Sequence, residues 1–152
     1  LERFIATKEA VEVDAPVALT VSPYGDLVVG QMGEITVPGD GLLSIYDPKT
    51  GKLKANFETG LSDITGLAYS SDSKKLYATD FSWADTSKGA LYELSISGDK
   101  CTAKKVMDMD KPTALAFDKD GHLYVTIIGT KEEGSDKPAG KVVRVPKRLL
   151  AK

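Results

Sequence analysis

The chain has 152 residues, of which 28% are charged and 41% hydrophobic, with a net charge of −2 and a pI near 5.5. That length suffices for one compact core, and the missing basic field excludes nucleic acid and anionic lipid as electrostatic partners. No apolar run approaches the roughly 18 residues of a membrane-spanning helix, so no membrane insertion is expected. The N-terminus, LERFIATKEA, has neither an apolar h-region nor a small-residue cleavage site and is therefore not a signal peptide. It opens on Leu1 rather than Met, so the chain reads as processed or excerpted, and its compartment is left open. Cys101 is the single cysteine and His122 the single histidine, which rules out an intrachain disulfide and a Cys/His pair within one repeat.

In chain order, the first strong signal is VALTVSPYGDLVVG at residues 17–30, two short alternating runs joined by a Pro/Gly/Asp turn. The same sentence returns as ITGLAYSSDSKKLYATD at 64–80 and TALAFDKDGHLYVT at 113–126. Leu19, Leu67 and Leu115 recur at intervals of 48, as do Ala18, Gly66 and Ala114, and Asp14, Ser62 and Asp110. A period of about 40–50 residues with four short strands is the signature of β-propeller blades.

The expected fold is all-β, with propeller blades of four antiparallel strands (A to D) and about three blades in a single domain. Residues 1–15 are expected to hold an outer strand, Phe4–Val13, that completes a split blade. Residues 16–62 form one blade, with strands Val17–Val21, Leu27–Gly30, Leu42–Tyr46 and Leu53–Phe57. Residues 63–110 form the next, with Gly66–Tyr69, Leu76–Thr79, Ala90–Ile96 and Thr102–Met107. Residues 111–146 supply strands A to C of the split blade, Ala114–Phe117, Leu123–Ile127 and Lys141–Val145. Residues 147–152, with Lys147, Arg148 and Lys152, are expected to be a solvated tail. Three blades are too few to close a ring of typically about 4 to 8. Either two copies of the chain associate to give six, or a further half completes the same ring.

The patterns SPYGDLVVG, SSDSKKLYATD, DKDGHLYVT and YDPKTGKL resemble the NHL and YVTN type of β-propeller repeat over roughly residues 15–145. The WD pattern is absent. The resemblance implies a six- or seven-bladed propeller. Families of this look include secreted or periplasmic binding proteins, gluconolactonase-like hydrolases and quinone-dependent dehydrogenases, among which fold does not choose. A periplasmic or extracellular location is what the resemblance implies.

Ligands of propellers bind where the D–A and B–C loops surround the channel mouth. The B–C loops here are long, Gln31–Asp40, Asp80–Lys88 and Gly129–Ala139, and long loops on a short-turned sheet are candidate functional surfaces. The candidate ligand-binding residues are Gln31, Glu34, Asp63, Asp80, Trp83 and Asp85. Trp83, the only tryptophan, beside carboxylates could stack on a sugar; the bland alternative is that Phe81 and Trp83 pack between blades. A gluconolactonase-like site needs several oxygen ligands for a hard dication such as Ca²⁺. The positions equivalent to Asp63 and Asp80 are Ala15 and Gly30 in the first copy, and Lys111 and Ile127 in the third, so no metal site and no cofactor are expected. His122 borders an A–B turn on the opposite face, and no catalytic residue is assigned. The favoured expectation is a non-enzymatic binding or assembly module, meeting itself, a second propeller half, or a small molecule or protein at the loop face. The alternative is a propeller-type hydrolase or oxidoreductase.

Overall fold

Each 48-residue unit folds as an antiparallel sheet whose strands neighbour one another in chain order. The computed structural model describes residues 1–150. The first sheet contains β1 (Pro16–Val21), β2 (Leu27–Gln31), β3 (Leu42–Tyr46) and β4 (Leu53–Glu58). The second contains β5 (Ile64–Tyr69), β6 (Leu76–Asp80), β7 (Ala90–Ser97) and β8 (Lys100–Asp108). The third holds β9 (Pro112–Phe117), β10 (Leu123–Ile127) and β11 (Lys141–Val145). A short helix, α1 (Thr7–Val11), precedes them and another, α2 (Lys147–Leu150), follows. The all-β propeller class holds, and the three sheets form an open arc of blades. No helix among the described residues is long and apolar enough to cross a membrane.

Alternation decides which face of each blade meets which neighbour. Ala18, Val28, Leu43 and Phe57 of the first sheet meet Ile64, Leu67, Leu76 and Leu94 of the second in one buried cluster. Tyr77, Leu91 and Met109 meet Leu123, Val125 and Val145 in the other. The forward side of each inner strand is small and the backward side large. A Cβ on Gly30 would stand 2.4 Å from Ile64 Cγ2, and one on Gly66 would stand 2.8 Å from Leu115 Cδ2 and 2.5 Å from the Thr113 carbonyl oxygen.

The A–B turns also repeat in atomic detail. Ser22, Ser70 and Asp118, again 48 apart, each give a backbone N–H to the carbonyl across the turn, of Asp26, Lys75 and His122. Their side-chain oxygens accept the amides of Tyr24 and Asp26, of Ser73, and of Asp120 and His122. Such side-chain-to-backbone bonds explain why Ser and Asp open these turns. Cys101 lies half-buried on β8 against the first cluster, where burial pushes its thiol pKa up, as suits an unreactive strand residue.

Two terminal expectations are corrected. Phe4–Val13 is not a strand: its central part is α1, closed by Glu12 at φ 64°. Thr7-Lys8-Glu9-Ala10 is rich in helix formers, and no ladder partner lies alongside; Phe4 and Ile5 instead lie against Gly51 of the first blade. The third blade consequently has three strands. Residues 147–150 are not a solvated tail, because Leu150 is buried and its carbonyl accepts the Tyr77 hydroxyl at 3.2 Å. Ala151 and Lys152 lie outside the described residues.

Gly66→Ala tests the close seating of blades. It should lower stability by about 1–3 kcal/mol through overpacking, read from urea unfolding; an unchanged midpoint would contradict the interdigitation described.

Candidate functional site

The inner strand of each blade is bulged at the same place. The register slips between Pro16 and Ala18, between Ile64 and Gly66, and in the β9–β10 pair between Val125 and Ile127, opposite Thr113. Bulges occur next to active sites because they re-aim a side chain and bend the strand. Just ahead of each bulge the D–A connection holds the start of the B–C loop. The amides of Met32, Phe81 and Ile128 donate to the carbonyls of Ala15, Asp63 and Lys111 at 3.0, 3.0 and 3.1 Å. One backbone device thus presents all three long loops on one face.

In the second blade this device acquires side chains. The Asp80 carboxylate accepts the amides of Asp63 at 2.8 Å, Ser62 at 3.1 Å and Ser82 at 3.1 Å. Asp63 Oδ2 accepts the Trp83 amide in return. The two carboxylates form a reciprocal clamp across the D–A and B–C loops, Asp63 being 1% and Asp80 5% exposed. Asp63 Oδ1 is buried without a hydrogen-bond partner. Burial pushes the Asp63 carboxyl above the usual range, the Trp83 amide pulls it partway back, and the nearby Asp80 and Asp40 charges raise it further.

The clamp sets the aromatic pair. Phe81 is buried and Trp83 lies on it, ring centroids 5.0 Å apart and tilted by 31°, with Trp83 still 52% exposed. Phe81 therefore packs down while Trp83 faces outward from a 3₁₀ segment, Trp83–Lys88. Asp85 is exposed, takes the Ser87 hydroxyl at 2.6 Å and pairs with Lys88 at 3.3 Å. The Ser87 hydroxyl, then Lys88, hold its carboxyl below the usual range. A groove of about 340 Å³ runs beside them, lined by Gly39, Ser62, Asp80, Ser82, Asp85 and Lys88.

The other sequence candidates lie elsewhere. Glu34 is exposed on the first B–C loop, and its amide donates to Asp40 Oδ2 at 2.8 Å. Gln31 is fully buried and directs its Nε2 at Ser44 Oγ, 3.3 Å away, which donates to Asn56. The register also corrects the repeat alignment. Ile64 pairs with Asp80, Pro16 with Gln31 and Pro112 with Ile127, so Gln31, not Gly30, is the first-blade equivalent of Asp80. The second A–B turn, Ser70–Lys75, is one residue longer than Ser22–Asp26 and Asp118–His122, so the equivalents on the second strand of each blade follow from pairing and not from a fixed count of 48.

Sequence reasoning passed over Asp40, whose Oδ1 is buried and unpartnered and whose carboxylate occupies the space over Gly33. It also passed over four threonines near the bulges. Thr65 Oγ1 donates to the Pro112 carbonyl at 3.0 Å, Thr79 Oγ1 to the Thr113 carbonyl, and the Thr113 and Thr126 hydroxyls lie 2.7 Å apart. Their signal was present: Thr65 and Thr113 are 48 apart. A hard dication fits these blades poorly. The bulge positions hold Val17, Thr65 and Thr113, both hydroxyls are engaged, and among the described residues no group of three His, Cys, Asp or Glu is disposed to hold a metal.

Residues 11–148 match the family described as SMP-30/Gluconolactonase/LRE-like region. No curated protein matches the sequence. Among solved structures, the chain is similar to a periplasmic gluconolactonase of Pseudomonas aeruginosa, at 18% identity and TM-score 0.56 over 76% of this chain and 37% of that one. It is similar to the PQQ-bound aldose sugar dehydrogenase of Streptomyces coelicolor, at 22% identity and TM-score 0.58 over 87% of this chain and 44% of that one. A Thermus thermophilus protein assigned as an oxidoreductase (glucose dehydrogenase) aligns at 20% identity and TM-score 0.61 over 90% of this chain and 45% of that one. The chain thus spans less than half of each, and likeness at these identities carries the fold alone. The NHL/YVTN resemblance holds at the coarser level of a propeller. The expectation of a non-enzymatic binding or assembly module is overturned by the family match, whose description names gluconolactonase.

Two outcomes test the clamp. Asp80→Ala leaves three loop amides without their acceptor and should cost about 3 kcal/mol or more, read from chemical unfolding, whereas Asp80→Asn keeps one acceptor oxygen and costs less. Asp63 gives a pH signature. Its raised folded-state pKa means that the folded chain binds more protons than the unfolded one above pH 3.8, the ordinary value. Stability therefore falls as pH climbs through the window from 3.8 to the raised value and stays lowered at neutral pH. Asp63→Asn should raise the unfolding midpoint at pH 7 and flatten the profile above pH 3.8; a lowered midpoint with an unaltered profile would contradict this.

Proposed function

Because the chain belongs to the SMP-30/gluconolactonase/LRE-like family, we propose that it supplies three blades of a propeller hydrolase that opens a sugar-derived lactone at the loop face. The family match over residues 11–148 carries this reading. In such a reaction water adds to the lactone carbonyl, the charge passes through a tetrahedral oxyanion, and the ring C–O bond breaks to leave a hydroxy acid. It calls for a base at the water and donors at the oxyanion.

This chain's own part is to bind and orient. Trp83, resting on Phe81 and half exposed, offers a flat apolar face of the kind that receives a sugar ring. Asp85 and Lys88 border the adjoining groove, where a carboxylate accepts from sugar hydroxyls and an ammonium donates. Its volume, about 340 Å³, suits a single ring. Asp63 and Asp80 hold the loop rather than the ligand, since both are buried and bonded to backbone amides. No step is assigned to a metal, because the oxygens of these three blades do not make a donor set for one. A periplasmic or extracellular location belongs to the same reading, supported by the periplasmic Pseudomonas aeruginosa relative.

The test is hydrolysis of D-glucono-1,5-lactone and other aldonolactones by the purified chain, followed by pH-stat against the spontaneous rate. Saturable hydrolysis is expected, with KM raised about 2- to 10-fold in Trp83→Ala, as the loss of one aromatic contact implies. No lactone hydrolysis, together with aldose oxidation on adding PQQ, would replace the hydrolase reading with a dehydrogenase.

A further inference from the structure

The groove next to Trp83 has a neighbour. The first groove runs over Ser62, in the connection that leads into the second blade. Asp110 stands 48 residues on, in the connection that leads into the third, and a second groove of about 410 Å³ runs over it. Both lie on the loop face, each between two blades that are packed against one another.

One short segment separates them. Asp85 and Lys88 of Trp83–Lys88 line the first groove, and Thr86 and Ser87 line the second. The bond from the Ser87 hydroxyl to Asp85 Oδ1, 2.6 Å long, crosses this divide. A molecule seated on one side has only this segment to pass over to reach the other.

The second groove is lined for hydroxyl groups. Of its lining residues only Gly89 and Met109 are buried, so they form the floor. A Cβ on Gly89 would stand 2.6 Å from the Met109 carbonyl oxygen, which keeps that floor bare. Asp108, Asp110, Thr86 and Thr130 stand around it. The Asp110 carboxylate accepts the Thr130 amide at 2.6 Å on one oxygen and the Thr130 hydroxyl at 2.9 Å on the other. That occupies two of the roughly four acceptor positions of a carboxylate. Asp108 engages Oδ1 with Lys105 at 2.8 Å. The remaining lone pairs and the Thr86 hydroxyl suit a polyol, whose hydroxyls both donate and accept. No Lys or Arg lines this groove, whereas Lys88 lines the first. An anionic substituent entering it would meet two carboxylates and be repelled.

We propose that the loop face binds a sugar lactone carrying a second, neutral sugar ring. The lactone ring lies beside Trp83 in the first groove, and the second ring lies among Thr86, Asp108 and Asp110. The substrate class is an aldobionolactone rather than a phosphorylated or uronic lactone. This extends the lactonase reading and rests on its assignment of the first groove to a sugar.

Isothermal titration calorimetry of the purified chain compares three sugar acids: D-gluconate, lactobionate (gluconate bearing a neutral galactosyl ring) and 6-phosphogluconate. Lactobionate is expected to bind about 5- to 30-fold more tightly than gluconate, the yield of one or two added hydrogen bonds. In the double variant Thr86→Val with Asp108→Asn that gain should vanish while gluconate affinity holds, since neither side chain lines the first groove. The phosphorylated acid should bind no more tightly than gluconate. Equal affinity for gluconate and lactobionate, a gain that survives the double variant, tighter binding of 6-phosphogluconate, or no binding of lactobionate would overturn the proposal. Following hydrolysis of the two corresponding lactones by pH-stat keeps the readings apart. The lactobionate gain without hydrolysis of either lactone supports the second groove and removes the lactonase. Hydrolysis of gluconolactone without the gain removes the second groove and leaves the lactonase.

Discussion

Everything in this molecule depends on how one blade seats on the next. The inner strands carry a small residue on the forward side and a leucine on the backward side, and the chain repeats that choice every 48 residues. Gly66 leaves no room for a Cβ beneath Leu115, and the Ile64–Leu67 edge fills the space over Gly30 and Ala18. Interiors pack at crystal-like density, so this spacing fixes the blade rotation closely. That rotation places the D–A and B–C loops of all three blades around one face.

Given the blades, the loop face follows from backbone hydrogen bonding. Each B–C loop starts with an amide bound to the D–A carbonyl of its own blade, so each loop leaves the sheet in a similar direction. The second blade adds two buried carboxylates that bind one another's loop amides. A loop clamped at its start can present Trp83 outward without losing its shape there, which keeps the entropy lost on binding a ring small. The acids nearest the channel mouth are structural, and the accessible groups beside them are the ones available to a ligand.

Much of this was legible in the sequence. The interval between Leu19, Leu67 and Leu115 gave the blade count, and the alternation in each run gave the strands to within a residue or two. What escaped notice depends on contacts outside the repeat. Thr7–Val11 reads as a strand by register alone, but a strand needs a ladder partner and this segment has none alongside. Asp63 and Asp80 read as ligands because acids near a channel mouth usually face it; their burial follows from three-dimensional bonds to amides up to 20 residues away. The first-blade equivalent of Asp80, Gln31 and not Gly30, emerges from strand pairing, because the A–B turns differ in length by one residue and a fixed repeat count does not carry across them. The enzyme family was legible only as an alternative, because the short propeller motifs specify packing and not chemistry.

The central functional claim is that a sugar-derived ligand meets this chain on the loop face, beside Trp83 and Asp85. A crystal structure of the protein with bound D-gluconate, the product of the proposed hydrolysis, tests it most directly. The account predicts the ligand ring against the exposed face of Trp83, with its hydroxyls toward Asp85 and Lys88 and the Asp63–Asp80 clamp unchanged. A ligand on the opposite face, near His122 and the A–B turns, would contradict it.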